Sequence, residues 1–167
     1  MARSRAVVVA TVLAAAPVLV AGLLGWWFGE QRRAATATYR VIEVIDGDTI
    51  VVERDGRTDT VRILGVDTPE TKHPTKGVEC FGPEASAYTT RRLLGARVRL
   101  EDDVVHRDVY GRRLSYVYVD GRSFDDELVR RGFARFLVIQ PNVRHARDLL
   151  RSELDARRHH RGLWGAC

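Results

Sequence analysis

The sequence predicts an α+β domain, mainly β, that forms a five-stranded Greek-key barrel of the OB type with three helices and follows a hydrophobic amino-terminal segment. The length of 167 residues suits one domain with a proper core and is too short for two once a targeting segment is set aside. Short runs rich in Val and Ile alternate with turn signals, as in small all-β barrels. One helical pattern follows the third run and others close the chain, an order that fits a barrel better than a sandwich or a parallel sheet.

The amino terminus has the layout of an export element. Ala6–Gly29 contains no charged residue, is rich in Ala, Val and Leu, and follows Arg3 and Arg5. The apolar run is at least as long as the roughly 20 residues that span a bilayer. Residues 1–30 are therefore expected to be a signal peptide or a transmembrane anchor.

The position of the charges predicts the topology of this segment. Basic residues before an apolar run remain in the cytoplasm, so the domain is expected outside the cytoplasm, either secreted or held at the membrane. The A-x-A sequence after the run, Ala35-Thr36-Ala37, lies beyond the charged stretch Glu30–Arg33, which slightly favours a retained anchor. Residues 31–38 are expected to be a linker and residues 39–167 the domain.

The predicted barrel strands are the β-branched runs of the domain. Tyr39–Ile45, Thr49–Arg54 and Thr60–Val66 are bounded by Asp-Gly turn signals and should form a three-strand meander. Arg97–Glu101 and Leu114–Val119 supply the other two strands.

Each predicted helix has its own start and stop signals. Gly82-Pro83 opens the first helix, with Pro suited to the first helical position, and Gly95 closes it. Ser123 and Asp126 resemble a capping box for a short second helix that ends at Gly132.

The third helix is expected to begin at Asn142, after Pro141. Its core-facing side is predicted from helical periodicity to consist of apolar residues: Val143, Ala146, Leu149, Leu150 and Leu154.

The charge balance favours polyanionic partners. A net charge of +5 and a pI near 9.7 attract phosphate chains at long range. The alternative is that codon bias supplies the excess, because nearly all basic residues are Arg and only Lys72 and Lys76 are Lys. A charged fraction of 29% with 45% hydrophobic residues excludes a disordered chain.

The two cysteines and the histidines have competing interpretations. Cys80 and Cys167 would pair in an oxidising compartment, whereas unpaired thiols and a zinc site with His159 and His160 are the alternatives. The zinc site lacks the usual ligand spacing. All the histidines are expected to be solvated because they have polar neighbours: His73, His106, His145, His159 and His160.

Three short stretches carry residue types that phosphodiester hydrolysis requires, although each alone fits an ordinary turn or loop: Asp46–Thr49, Arg62–Glu70 and Tyr110–Arg112. Asp48 and Asp67 offer oxygen ligands to a hard divalent cation, with Asp46 nearby and the Thr68 carbonyl as a neutral ligand. So few protein ligands would leave room for water and for a phosphate oxygen.

The same stretches supply a phosphate clamp and a base. Arg62 and Arg112 have the guanidinium fork that matches two phosphate oxygens. Glu70 is placed to take a proton from an attacking water. Spacing along the chain does not show that these side chains converge.

Four longer motifs resemble the staphylococcal nuclease family. They are Val66–Pro74, Gly77–Glu79, Gly82–Ala87 and Leu128–Arg130 with Gly132, and the resemblance runs from about Tyr39 to about Trp164. It implies an OB barrel with three helices and a Ca²⁺-dependent enzyme that hydrolyses DNA and RNA to 3′-phosphates.

The resemblance also implies roles for individual residues. Asp48, Asp67 and the Thr68 carbonyl would ligate calcium. Glu70 would act as general base, Arg62 and Arg112 would bind the phosphate, and Tyr110 would lie at the terminal phosphate of the nucleotide. The expected substrate is single-stranded DNA or RNA, and the expected state is a monomer without a protein partner.

Two departures from the family pattern bear on substrate affinity. Val109 stands where the best-known member has a lysine, and Phe136–Gln140 lacks the pair of tyrosines placed against the base. Base stacking on an aromatic ring contributes about 1 to 3 kcal/mol, so base preference should differ while the chemistry is kept. The competing hypothesis is a non-catalytic OB-fold nucleic-acid-binding module, which the retained carboxylates disfavour.

Overall fold

The structure is a computed structural model that describes residues 37–71 and 77–167. The expected signal or anchor at 1–30 and the Lys72-His73-Pro74 part of the family motif lie outside the described residues. Within the described ranges, every helix is too short or too polar to cross a bilayer.

Residues Thr38–Cys167 form one compact unit around a closed barrel. Neighbouring strands run in the order β3-β2-β1-β5-β6, and a parallel pairing of β3 with β6 closes the ring. The remaining neighbours are antiparallel. The five barrel strands are β1 (Thr38–Asp46), β2 (Thr49–Arg54), β3 (Arg57–Ile63), β5 (Arg97–Arg107) and β6 (Arg113–Val119). The predicted five-stranded barrel is confirmed.

Three short strands extend this framework. β7 (Arg122–Ser123) pairs with β6, and β4 (Val66–Asp67) pairs with β8 (Arg135–Phe136) in a separate two-stranded sheet. The β4–β8 pair holds Asp67 against Arg135 in register.

The third and fourth barrel strands differ from the predicted ranges. β3 begins at Arg57 and ends at Ile63, because Gly65 takes a left-handed conformation with φ 75° that interrupts the Val- and Ile-rich run. Val66 and Asp67 therefore leave the barrel and form β4. β5 continues to Arg107, well beyond the predicted end at Glu101.

The barrel interior is filled by aliphatic side chains from every barrel strand. Val41, Ile50, Val61 and Ile63 have no exposed surface, and Val117 is likewise fully buried. Fully burying a side chain of this kind stabilises the fold by about 1.5 to 3 kcal/mol. This core fixes the strand ends from which the polar site residues project.

The predicted first two helices are confirmed. α1 (Gly82–Leu93) carries Pro83 in its first turn. α2 (Phe124–Arg131) begins at Ser123, whose Oγ accepts from Asp126 N at 3.0 Å, and ends at Gly132 with φ 75°. A single turn, α4 (Leu163–Ala166), follows the third helix.

The third helix, α3 (Ala146–Arg158), begins four residues later than predicted. The Asn142 side chain instead binds the β5 backbone, since Val105 N donates to its Oδ1 at 2.8 Å and its Nδ2 donates to Val105 O at 2.9 Å. The predicted apolar face is wrong in part. Leu149 is buried, whereas Val143, Leu150 and Leu154 are 45%, 43% and 53% exposed.

His145 is not a solvated side chain, contrary to expectation. Its ring packs edge-on against Tyr116 with centroids 4.5 Å apart. Its Nε2 lies 3.3 Å from both the Tyr118 hydroxyl and Glu101 Oε1. Residues of β5 and β6 that are distant from His145 in the sequence therefore contact it in the folded chain.

Candidate active site

Asp48 forms the floor of the site, in the tight turn between β1 and β2. Its Oδ2 accepts from the Thr68 amide at 3.1 Å and from the Thr68 hydroxyl at 3.2 Å. Its Oδ1 accepts from Thr49 Oγ1 at 2.9 Å. Gly47 permits this approach, because a Cβ there would lie 2.7 Å from Thr68 Oγ1. The turn sequence thus places Asp48 against the β4 segment.

Arg62, near the end of β3, contacts both of the acids that were predicted to bind metal. Its Nη1 donates to Ile63 O at 2.8 Å and to Val66 O at 2.7 Å. Its Nη2 lies 3.2 Å from Asp48 Oδ2 and 3.5 Å from Asp67 Oδ1. One nitrogen of Arg62 contacts both carboxylates. Asp48, in the β1–β2 turn, and Asp67, on β4, therefore converge on the same guanidinium group.

Asp67 is the more open of the two acids, with a side chain 49% exposed. Partial burial raises the pKa of its carboxyl above the ordinary value. The positive charge of Arg62 acts in the opposite direction, and the negative charge of Asp48 adds to the increase. Two carboxylates that repel each other next to an open face favour a bound cation.

Glu70 is fixed through its backbone. Its N–H donates to Glu79 Oε2 at 3.3 Å, and its carbonyl accepts from Glu79 N at 2.9 Å. Its Oε1 accepts from Thr71 N at 2.9 Å. Gly82 lies so close that a Cβ would be 2.9 Å from Glu70 O. The first turn of α1 and Glu79 therefore hold Glu70 in place.

Asp46 connects Glu70 with the other acids. Its Oδ1 accepts from Gly47 N at 2.8 Å and from Thr71 Oγ1 at 2.9 Å. Burial raises the pKa of Asp46, and a hydrogen bond with the Glu70 side chain and the charge of Asp48 add to the increase. Asp46, Asp48, Asp67 and Glu70 thus belong to one polar cluster at one end of the barrel.

Arg112 lies in a separate contact network, directly before β6. Its Nε donates to Asp108 Oδ2 at 2.7 Å, and the backbone N–H groups of Arg112 and Tyr110 donate to Asp108 Oδ1 at 2.9 and 3.0 Å. Its guanidinium carbon is 5.4 Å from the centroid of the Tyr110 ring, and Tyr110 is 81% exposed. The following residue, Arg113, pairs with Val61, so Arg112 enters β6 beside the strand that carries Arg62.

The oxygen donors of the cluster fit a hard cation. Within residues 37–71 and 77–167, no group of three or more His, Cys, Asp or Glu side chains is arranged to hold a metal ion. Asp48 and Asp67 are two carboxylates that converge, and Thr68 lies between them in contact with Asp48. Ca²⁺ takes about six to eight oxygen ligands, so most of its ligands here would be water or substrate oxygens.

Two residues that support the site were not singled out from the sequence. Asp108 organises the loop that carries Tyr110 and Arg112, and Glu79 brackets the backbone of Glu70. The Asp108-Val109-Tyr110-Gly111 sequence does contain a signal, because an Asp side chain often accepts from the amide two residues ahead.

Comparison with known proteins shows the family of this chain. Residues 60–166 match the family described as staphylococcal nuclease homologue. The chain is also 41% identical over 127 residues to the thermonuclease of Staphylococcus hyicus, which covers 76% of this chain and 75% of that protein. The chain belongs to the staphylococcal nuclease family.

Other family members are similar to this chain over much of its length. The thermonuclease of Staphylococcus intermedius is 39% identical over 127 residues, covering 76% of each chain. The endonuclease YncB of Bacillus subtilis is 42% identical over 122 residues, covering 72% of this chain and 58% of that protein. The resemblance in the motifs is thereby confirmed.

The predicted cysteine pairing is present in this member of the family. Cys80 and Cys167 form a disulfide with an S–S distance of 2.10 Å and a Cα–Cα distance of 6.1 Å. The alternatives of free thiols and of a zinc site through Cys167 are wrong. The bridge joins the chain end to the segment beside Glu79, close to the residues that hold Glu70.

The positions that depart from the family pattern lie at the surface. Val109 is 94% exposed, next to Tyr110. Leu137 and Val138, in the stretch that lacks the tyrosine pair of the family pattern, are 38% and 37% exposed. Tyr110 is thus the exposed aromatic residue beside Arg112.

Proposed function

We propose that this protein is a Ca²⁺-dependent nuclease that hydrolyses phosphodiester bonds in single-stranded DNA and RNA and leaves 3′-phosphates. The observation that carries the proposal is the convergence of Asp48 and Asp67 on Arg62 Nη2, with Glu70 joined to the same cluster through Asp46. The family relationship supports a nuclease, because two of the relatives are named thermonucleases and YncB is named an endonuclease.

In this proposal Asp48, Asp67 and the Thr68 carbonyl hold Ca²⁺. The bound cation would neutralise part of the charge that the phosphate gains as water attacks. Asp48 is already buried and held by Thr49, Thr68 and Arg62, so little reorganisation is needed when the substrate arrives.

Glu70 acts as the general base that takes a proton from the attacking water. A positioned carboxylate contributes about 10² to 10⁴ in rate. Burial raises the pKa of Asp46, the acid that shares a hydrogen bond with the Glu70 side chain. Asp46 is therefore in direct contact with the proposed base.

Arg62 and Arg112 bind and stabilise the phosphate. Arg62 is fixed by two backbone carbonyls, and Arg112 is oriented by Asp108, so each guanidinium is held before substrate binds. Tyr110 is exposed beside Arg112 and is placed to contact the terminal phosphate of the nucleotide.

The proposed location is outside the cytoplasm, secreted or anchored by residues 1–30. The disulfide supports it, because such bridges persist in oxidising compartments. Amino-terminal sequencing of the native protein distinguishes secretion from anchoring: a start after residue 30 means cleavage, and a start at Met1 means retention. We further propose a monomer, which sedimentation of the domain tests.

The decisive assay uses purified Thr38–Cys167, single-stranded DNA, and either calcium or a chelator. We expect cleavage with calcium only, and a loss of about 10² to 10⁴ in rate for Glu70→Gln. Glu84→Gln, an exposed carboxylate in the first turn of α1, is the charge-matched control and should cut like the parent. Binding of the strand without any cleavage would instead indicate a non-catalytic binding module.

A further inference from the structure

A basic cleft opens beside the hairpin that joins β2 to β3. Its volume is about 600 Å³, within the range of small-ligand sites. Its lining includes one tyrosine, four arginines and two carboxylates, each of which pairs with one of the arginines: Tyr39, Arg54, Arg57, Arg107, Arg113, Asp55 and Asp59. We call it the hairpin cleft. None of the residues assigned to metal binding or catalysis above lines it.

Two of its arginines are fixed by structural ion pairs. Arg107 donates from Nη1 and Nη2 to the two oxygens of Asp59 at 3.0 and 2.9 Å. Arg113 donates to both oxygens of Asp102 at 2.8 Å. Both guanidinium groups are therefore held in fixed positions, with their charges already paired.

The other two arginines are available to a ligand. The Arg57 residue is exposed, and among the described residues no carboxylate lies within 4.0 Å of its guanidinium. The Arg54 side chain is 44% exposed, and its one ion pair within residues 37–71 and 77–167 is with Asp55, itself 84% exposed, at 3.3 Å. Exposed pairs of this kind contribute little and exchange readily.

The register of the hairpin places these two charges against each other. Arg54 and Arg57 are directly opposite at the last position of the β2–β3 ladder, before the turn at Asp55 and Gly56. Like charges directly opposite on paired strands destabilise the pair. An anionic group bound between them would remove this repulsion.

An aromatic ring lies within the same cleft. The guanidinium carbons of Arg54 and Arg113 lie 5.5 and 5.2 Å from the centroid of Tyr39, and Arg113 Nη1 donates to the Tyr39 hydroxyl at 2.9 Å. OB folds hold single strands with a positively charged groove and with aromatic side chains on which bases stack. This cleft contains both arginines and an aromatic ring.

The hairpin cleft adjoins a second cleft that Arg112 lines. This second cleft of about 310 Å³, lined in part by Tyr110 and Arg112, shares Thr58 and Asp59 with it. β3 lines the two clefts through residues 57–60, and Arg62 lies two residues further along the strand. Five residues of strand span about 16 Å, so a ligand that reaches from one end to the other must be an extended chain.

We propose that the hairpin cleft binds the single-stranded part of the substrate that extends beyond the scissile phosphate, through phosphate contacts to Arg54 and Arg57 and base stacking at Tyr39. The inference rests on the proposed nuclease function. It extends the substrate-binding surface of that site so that several nucleotides bind along it. The protein should therefore prefer long single strands over very short ones.

The experiment compares a trinucleotide with a strand of about 12 nucleotides, a length within the range that one OB fold covers. Arg54→Ser with Arg57→Ser is expected to raise KM for the long strand about tenfold at low salt and to leave kcat unchanged, because two phosphate contacts are lost. Kinetic constants for the trinucleotide should stay at parent values. The matched control is Arg151→Ser with Arg158→Ser, which removes the same charge from exposed positions on α3.

Binding measurements make the result independent of catalysis. Anisotropy of a fluorescent oligothymidine of about 12 nucleotides should show about tenfold weaker binding for the cleft variant and a salt slope shallower by about 0.7 for each lost phosphate contact. If the parent binds this strand but cuts nothing, the proposed function fails while the cleft can still be tested.

Three results would overturn the inference. Equal losses in the cleft variant and the α3 control would mean a general effect of net charge. A trinucleotide whose KM rises as much as that of the long strand would place these arginines at the scissile phosphate. A larger loss for duplex than for single-stranded DNA would mean that the cleft holds a double helix.

Discussion

Asp48 and Arg62 form an ion pair that is almost removed from solvent, with Oδ2 and Nη2 3.2 Å apart and side chains 12% and 9% exposed. Each of these two charged groups also has hydrogen-bond partners besides the other. Thr68 donates twice to the carboxylate, and Arg62 donates to the carbonyls of Ile63 and Val66. The pair therefore connects the start of β2, the end of β3 and the β4 segment, so the site is assembled by the same contacts that close this end of the barrel.

Removing the Asp48 carboxylate should destabilise the fold. We expect Asp48→Ala to lower the free energy of unfolding by about 3 to 5 kcal/mol, because Arg62 would stay buried without its closest carboxylate. Urea unfolding followed by circular dichroism measures the loss. Arg151→Ala, which breaks an exposed pair on α3, should change stability by less than about 0.5 kcal/mol. Similar values for the two variants would mean that the Asp48–Arg62 pair contributes no net stability.

The barrel could be predicted from the sequence because its strands alternate with clear turn signals. The strand prediction was wrong where the backbone conformation of one residue interrupts a β-branched run. The run Thr60–Val66 is rich in Val and Ile, yet the left-handed Gly65 divides it into β3 and β4. Asn142 looked like a helix cap, but its amide pairs with Val105 instead. Where a strand ends and what a capping residue binds depend on contacts with strands that are distant in the sequence, and a local sequence pattern does not include these contacts.

For the site, motifs predicted the residue types, and the fold supplied their neighbours. Asp48, Asp67 and Glu70 stand in recognisable stretches, whereas Asp108 and Glu79 act only through hydrogen bonds formed in the folded chain. An aspartate in a turn gives the same sequence pattern whether or not its carboxylate binds an arginine in the folded chain. Its role therefore becomes evident only when the loop geometry is known.

The Asp108–Arg112 pair predicts a graded series of variants. Arg112→Lys should reduce kcat about 10² to 10³-fold, because a lysine cannot make the two-point contact with phosphate. Asp108→Asn keeps the guanidinium but loses its charged partner, so a smaller loss is expected. Single-turnover cleavage of single-stranded DNA separates the two. If Arg112→Lys cut as fast as the parent, the fork geometry would have no part in the reaction.

The disulfide should contribute much of the stability of the domain. Cys80 and Cys167 are 87 residues apart, and closing a loop of this length stabilises the folded chain by about 4 to 5 kcal/mol in the chain-entropy treatment. Cys80→Ser with Cys167→Ser should therefore unfold at clearly lower urea than the oxidised parent, and reductant should lower the parent to the same midpoint. Intact mass after alkylation reports the redox state. Equal midpoints for oxidised parent and variant would contradict the prediction.

Asp125 predicts how stability depends on pH. It is 1% exposed, and burial raises its pKa from 3.8 to about 8, although Val117 N–H donates to both of its oxygens at 3.2 Å. Between these two values the folded chain holds a proton that the unfolded chain has released. Stability contributed by this group is thus complete below the unfolded pKa and is lost as pH rises toward the folded pKa, with a slope of up to about 1.4 kcal/mol per pH unit.

Asp125→Asn removes this titration and provides the measurement. The free energy of unfolding of the parent, minus that of the variant, should fall steadily between about pH 5 and pH 8 and level off above that range. Other titrating groups are common to both proteins and cancel in the difference. A difference that stays constant over this range would mean that Asp125 is already ionised in the folded protein, in which case the Val117 amide and the Ser123 hydroxyl, 3.1 Å from Oδ2, outweigh the cost of burying its charge.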